Sequence, residues 1–222
     1  MHNAALTRTK LRTPTAAAIA GIIFSVLLIT AFWLFRNAVP ADPLEPGSWL
    51  RTNPNTAALA LNLLPFAGIA FLWFIGVLRD RLGQHEDRFF ATVFFGSGLL
   101  FIGMLFTAAA VMGAVLMAFA MQPEGLIDSP TFHFARTVAY NIVNVYMIKM
   151  AAVFMITTST IAMYTGIAPR LLAGFGYTLA LLLLFGSYYI SWSFVVFPFW
   201  VLLYSIYILI DDLRRPAEIT QG

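Results

Sequence analysis

An uncharged run from Ala91 to Met121 constrains what this chain can fold into more than any other feature of its sequence. A helix rises about 1.5 Å per residue, and about 20 apolar residues cross a hydrocarbon core about 30 Å thick. The run is therefore long enough for one tilted or protruding transmembrane helix, or for two short crossings. Either reading makes this segment part of a membrane and not of a soluble domain.

The composition extends this conclusion to the whole chain. Of the 222 residues, 60% are hydrophobic and 10% are charged, whereas a typical soluble domain carries about 25% charged residues. The sequence therefore predicts an all-α, polytopic transmembrane helical bundle that forms a single membrane domain over residues 1–222. About six spans are predicted, at approximately 14–35, 56–78, 91–121, 138–164, 171–187 and 190–210. The last two share one apolar run that is too long for one crossing, so they form two crossings or a re-entrant hairpin.

The distribution of Lys and Arg predicts the orientation, because cytoplasmic loops carry an excess of these residues. With the N-terminus inside, the inner segments hold nine of them: Arg8, Lys10, Arg12, Arg79, Arg81, Arg88, Arg170, Arg214 and Arg215. The outer loops hold Arg36, Arg51 and Arg136. Splitting 91–121 into two crossings would change the count to seven inside and five outside, so we expect one long helix there. Both termini are then cytoplasmic, and we expect the membrane to be a bacterial inner (plasma) membrane.

This topology has short inner loops and two longer outer loops. The first outer loop, 36–55, contains Pro40, Pro43, Pro46 and Pro54. Because proline fixes φ and resists helix formation, we expect a stiff extended loop. Trp49 lies within it and is expected at the membrane interface, where an aromatic ring with one polar edge is favoured. The second outer loop is predicted over 122–136.

Lys149 is the most informative single residue, because it lies near the middle of the fourth predicted span. An unpaired ammonium at that depth costs about 2.5–3.5 kcal/mol on insertion scales, and no Asp or Glu lies within any predicted span. At about 100° per residue, Thr160 and Tyr146 lie about 20° and 60° from Lys149 on the helix surface. The candidate ligand-binding residues are Lys149, Asn62, Asn141, Asn144, Tyr146 and Thr160.

Two functions are favoured at this point, and a third, less supported one is an enzyme that acts on lipid through Glu124, Asp128 and His133 of the second outer loop. The first is a small transporter, or a protein that binds an anion or a lipid headgroup, with an intramembrane polar site around Lys149. In the structural alternative, Lys149 donates to carbonyls of a kinked helix or is simply neutral. The second function is an accessory subunit, because small residues such as Ala109 and Gly113, or Gly176 and Ala180, have spacing that lets helices pack closely.

Further expectations concern chemistry and partners. The chain has no Cys, and none of the usual catalytic or nucleotide-binding motifs is present. We therefore expect no enzymatic activity, no catalytic residues, no metal site and no cofactor. The expected partners are the lipid bilayer and either a second copy of the chain or another membrane protein, without nucleic acid.

Overall fold

The computed structural model describes residues 13–82, 88–127, 129–166, 168–186 and 193–219, and this part of the chain is helical with short connections and no strand. The helices are α1 Thr13–Ala38, α2 Trp49–Thr52, α3 Pro54–Leu82, α4 Arg88–Met121, α5 Pro123–Leu126, α6 Pro130–Asn141, α7 Ile148–Thr165, α8 Arg170–Leu181 and α9 Ser193–Ile219. Two π-helical segments interrupt them. Segment π1, Ile142–Met147, joins α6 to α7, and segment π2, Leu182–Gly186, follows α8.

The protein is an all-α helical membrane bundle, as predicted. Within the described residues, five helices are long and apolar enough to cross a membrane: α1, α3, α4, the continuous run α6–π1–α7, and α9. The run α8–π2 is apolar but shorter, with 17 residues from Arg170 to Gly186, against the roughly 20 that a full crossing needs. The connection between the predicted spans 171–187 and 190–210 lies outside the described residues.

The prediction that 91–121 forms one helix is confirmed. Helix α4 runs for 34 residues without interruption, which corresponds to about 51 Å. It contains no proline, and its glycines lie among Leu, Phe and Ala residues that favour helix in an apolar environment. The helix is longer than a hydrocarbon core about 30 Å thick, so it tilts or extends beyond the core.

The second predicted loop, 122–136, is largely helical, which corrects the sequence analysis. The fourth long helix begins at Pro130 and not near residue 138. The Ser129 side chain accepts a hydrogen bond from the backbone N–H of Phe132 at 3.1 Å, and Pro130 occupies the first helical position, where its missing N–H costs nothing. This pair is a helix start signal that apolar-run counting overlooks, and it places Arg136 inside α6.

The first predicted loop is also shorter and more compact than expected. Helix α1 continues to Ala38 and α2 begins at Trp49, leaving residues 39–48, which we call the roof loop. Trp49 is only 4% exposed, so the interfacial position predicted for it is wrong. It packs in a cluster with Leu50 and Phe132, because the turn of α2 directs both apolar side chains into the bundle. We call the end of the bundle that carries residues 39–48 and 122–129 the loop face.

The five long helices surround a common centre. Helix α1 packs between α3 and α9, α4 packs against α3 and against the α6–π1–α7 run, and α7 contacts both α8 and α9. Each long helix contributes one phenylalanine to what we call the central aromatic cluster: Phe24, Phe71, Phe101, Phe154 and Phe197. The Phe71 ring touches the other four, with centroid separations of 4.5 Å to Phe24, 5.2 Å to Phe154, 5.4 Å to Phe101 and 5.5 Å to Phe197.

Small residues divide into two groups. Gly176 lets α8 approach α7 and α9, since a Cβ there would lie 2.2 Å from Ser159 Oγ and 2.9 Å from Trp200 Nε1. Gly98 has the same role against Ile75 and Phe154. In contrast, a Cβ on Gly96, Gly103 or Gly113 would meet nothing within 4 Å. These three glycines of α4 do not serve close packing among the described residues, and the accessory-subunit hypothesis stays a prediction about this surface.

Candidate functional site

Lys149 makes the contact that the structural alternative predicted. Its Nζ donates a hydrogen bond to the backbone oxygen of Leu184 at 3.1 Å. Leu184 lies in π2. Lys149 therefore fastens the α8–π2 run to α7 through a direct bond to its backbone.

Thr160 faces α8 as well, as the helical wheel predicted. Its hydroxyl is 2.6 Å from the hydroxyl of Tyr177 in α8. Thr160 and Lys149 thus share one face of α7 but lie 11 residues, about 16 Å, apart along the helix. They contact different levels of α8–π2 and do not converge on one point.

The other predicted site residues on this run point elsewhere. A π turn contains one more residue than an α turn, so Asn141, which precedes π1, is rotated by about 100° relative to an uninterrupted α-helix, and it is exposed. Tyr146 lies within π1 and is 57% exposed. Asn144 is half-buried and donates to the backbone oxygen of Tyr140 at 2.9 Å. Asn62 lies on an exposed position of α3, away from Lys149.

A cavity of about 140 Å³ lies beneath the roof loop, and it includes only one of the predicted residues, Asn144. Its wall is formed by the roof loop and by five helical runs: α1, α3, α4, α6–π1 and α9. Alanines at five helical positions leave the space open: Ala31, Ala60, Ala108, Ala109 and Ala139. An apolar cavity of about 150 Å³ holds one benzene molecule, so this one has room for a ring or for a short segment of alkyl chain.

The cavity lies beside a contact between α1 and α9. The rings of Phe194, near the described beginning of α9, and Phe32 are 5.2 Å apart, and both residues line the cavity. The wall on one side comes from α1 and α9, and on the other from α6 and π1, where Tyr140 and Val143 face the cavity.

Two arginines line this largely apolar cavity, and no carboxylate of the described residues joins them in the lining. The Arg36 guanidinium lies 5.9 Å from the centre of the Phe194 ring, a distance at which a cation is attracted to an aromatic face. Within the described ranges, Arg36 forms no ion pair. It is half-buried, so an anion near it would be screened less by water than at a fully exposed site.

Arg136 is bound differently. It is 4% exposed and donates three hydrogen bonds to backbone oxygens of the roof loop, those of Pro40, Asp42 and Glu45. Besides these carbonyls, the negative charges of Glu45 and Asp42 lie close enough to interact with the guanidinium. The third arginine on the loop face, Arg51, is exposed and forms an ion pair with Glu124 at 3.5 Å.

The central aromatic cluster lies further into the bundle than the cavity. The lining residue Leu64 precedes Phe71 by about two helical turns on α3, and Leu105 follows Phe101 by about one turn on α4. Toward the loop face, the cavity is lined by the exposed roof-loop residue Ala41.

Sequence reasoning missed Arg36 and Arg136 because it treated them only as outer-loop charges. One signal could have drawn attention to them. Arginines on the side of the membrane that is poor in Lys and Arg are exceptions to the usual bias, and exceptions of this kind deserve a structural or functional reason. Arg36 and Arg136 are 100 residues apart in the sequence and line the same cavity only in the folded protein, so sequence patterns could not pair them. Comparison of this chain with protein-family models, with curated proteins and with solved structures finds no match.

Proposed function

We propose that this protein binds an amphiphilic anion in the cavity beneath the roof loop, with the apolar part of the ligand among the alanines and its carboxylate or phosphate at Arg36. The observation that carries the proposal is a half-buried guanidinium, without an ion pair in the described ranges, at the edge of an apolar cavity. The class of function is the one the sequence suggested, anion or lipid-headgroup binding. The centre of the site is Arg36 in place of Lys149.

The energetics favour charge as the source of selectivity. A ligand that enters from the bilayer moves its alkyl chain from one apolar environment to another, so the chain contributes little net free energy. In contrast, each hydrogen bond between the ligand and a charged group contributes about 1.5–3 kcal/mol. Neutral and cationic amphiphiles of the same length should therefore bind much more weakly than anions.

We also propose that the loop face is extracytoplasmic, in a bacterial inner membrane, with both termini in the cytoplasm. The count of Lys and Arg supports this orientation, and the uninterrupted α4 has the single crossing that the count requires. A reporter that is active only in the cytoplasm, fused after Gly222, should be active. An inactive cytoplasmic reporter together with an active periplasmic one would contradict the orientation.

Filling the cavity provides the direct test of binding. Purified protein in phosphatidylcholine nanodiscs is equilibrated with radiolabelled octanoate, and empty nanodiscs give the background. Ala109→Leu adds three carbon atoms to the wall, about half of the six that a cavity of this size accommodates. We expect it to reduce octanoate binding at least about tenfold, because the lost volume excludes the chain.

The neighbouring residue supplies a matched control. Ala110 is exposed on α4 and does not line the cavity, so Ala110→Leu makes the same chemical change on the outer face. It should leave binding unchanged. If Ala109→Leu binds octanoate as the wild type does, or if octanol and octylammonium bind as well as octanoate, the proposed function is wrong.

A further inference from the structure

The roof loop has an unusual shortage of its own hydrogen-bond donors. Pro40, Pro43 and Pro46 have no backbone N–H. Within the loop, the N–H of Leu44 donates to the side-chain Oδ1 of Asp42 at 2.9 Å. The N–H of Glu45 donates to the backbone oxygen of Asp42 at 3.3 Å. Backbone carbonyls that are removed from water need partners. A proline-rich segment that covers a cavity must therefore obtain donors from another element.

A single side chain of α6 supplies three of them. Arg136 Nη1 donates to the backbone oxygen of Glu45 at 2.9 Å. Its Nη2 donates to the backbone oxygens of Pro40 at 2.8 Å and Asp42 at 2.7 Å. The guanidinium presents its donors in a rigid planar fork, whereas a lysine ammonium is a compact point charge on a flexible stem. The three acceptors are spread over six residues of loop, an arrangement that suits the fork.

The loop segment held in this way is itself part of the cavity wall. Pro40, Ala41 and Pro43 line the cavity, and Arg36 lies in the last turn of α1, directly before the loop. The far end of the loop is anchored separately, because Trp49 and Leu50 are buried. The middle of the loop therefore depends on Arg136 for its position over the cavity.

We infer that Arg136 is the positioning residue of the ligand site: its guanidinium holds the roof loop closed over the cavity and so retains the anion at Arg36. This inference rests on the proposed function for the ligand, but the position of the loop can be measured without one. Arg136 does not need to contact the ligand. Its removal should open the loop and speed the release of the ligand, while the rest of the bundle stays folded.

The test combines hydrogen–deuterium exchange with binding in nanodiscs of phosphatidylcholine. In Arg136→Gln, we expect backbone amides of residues 39–48 to exchange about tenfold faster or more, as local opening becomes easier once bonds to a charged group are lost. Amides of α4 and α7 should keep their protection. Octanoate affinity should fall about tenfold as well, through faster dissociation.

One further variant separates the role of geometry from that of charge, and another serves as a control. Arg136→Lys keeps the positive charge and the long side chain but loses the fork, so it should resemble Arg136→Gln. It also carries the test if Arg136→Gln does not accumulate as folded protein. Arg51→Gln removes an exposed arginine of the same face that pairs with Glu124, and it should change neither exchange nor binding.

Failure of this inference is distinguishable from failure of the proposed function. Unchanged exchange over residues 39–48 in both Arg136 variants overturns the positioning role, whatever the binding result. Faster exchange with unchanged octanoate affinity also overturns it, because the loop would then open without consequence for the ligand. If wild-type protein binds no octanoate, the proposed function fails, while the exchange data still decide whether Arg136 holds the loop.

Discussion

Replacing Phe71 with alanine should lower the free energy of unfolding by about 3–5 kcal/mol, the range seen when a fully buried phenylalanine is truncated. Phe71 has no exposed surface, and its ring contacts one phenylalanine from each of the other four long helices. Inside a membrane, helices associate through van der Waals packing and not through exclusion of water. The lost contacts and the cavity left behind should therefore account for most of the effect. Unfolding in mixed micelles at increasing SDS fraction measures it.

A second phenylalanine on the same helix provides the control. Phe66 is 62% exposed on α3, so Phe66→Ala removes an equal number of atoms from the surface of the bundle. Its effect should be about 0.5 kcal/mol or less, as for most surface substitutions. Equal destabilisation by the two variants would mean that the central aromatic cluster does not hold the helices together.

Replacing Arg36 with glutamine should weaken octanoate binding by about ten- to a hundredfold, since hydrogen bonds to a charged group contribute about 1.5–3 kcal/mol. Glutamine retains a polar side chain and removes only the charge and the planar fork. Folding should be unaffected, because Arg36 makes no ion pair in the described ranges. Equilibrium dialysis against protein in nanodiscs gives the affinity, and raising the salt concentration should weaken binding to the wild type more than to the variant.

The comparison with Lys149→Met distinguishes the two possible centres of the site. Lys149 bonds to Leu184 and does not line the cavity, so Lys149→Met should bind octanoate within about twofold of the wild type, as expected for separate sites. If Lys149→Met loses binding and Arg36→Gln retains it, the site lies around Lys149, where the sequence analysis located it, and the proposal made here is wrong.

Five of the six predicted spans, and their order, were predictable because lipid imposes a simple rule on sequence; the run at 171–187 is shorter in the structure than the others. Twenty or so apolar residues must form a helix in which all backbone bonds are internal. Helix α4 followed from this rule together with the Lys and Arg count. The helix ends were less predictable: the start at Pro130 depends on the Ser129 cap, which is a local hydrogen bond that hydrophobicity does not report.

The candidate site was predictable only in its chemical class. A cation in an apolar setting suggested an anion site, but the sequence directed attention to Lys149, which instead bonds to a backbone carbonyl of π2. The rotation introduced by π1 moved Asn141 away from the expected arc. Arg36 and Arg136 line one cavity only because the tertiary fold places α1 and α6 on its wall, and no pattern within one helix encodes that placement.

The central aromatic cluster also has a consequence for the biogenesis of the protein. Phe24, Phe71 and Phe101 contact one another, so α1, α3 and α4 can associate while the ribosome is still translating the later helices. Phe197 belongs to α9 and emerges about a hundred residues after Phe101 in the same chain. If α1, α3 and α4 associate first, their cluster has an open apolar side until α7 and α9 insert, and lipid would occupy the position that Phe154 and Phe197 later take.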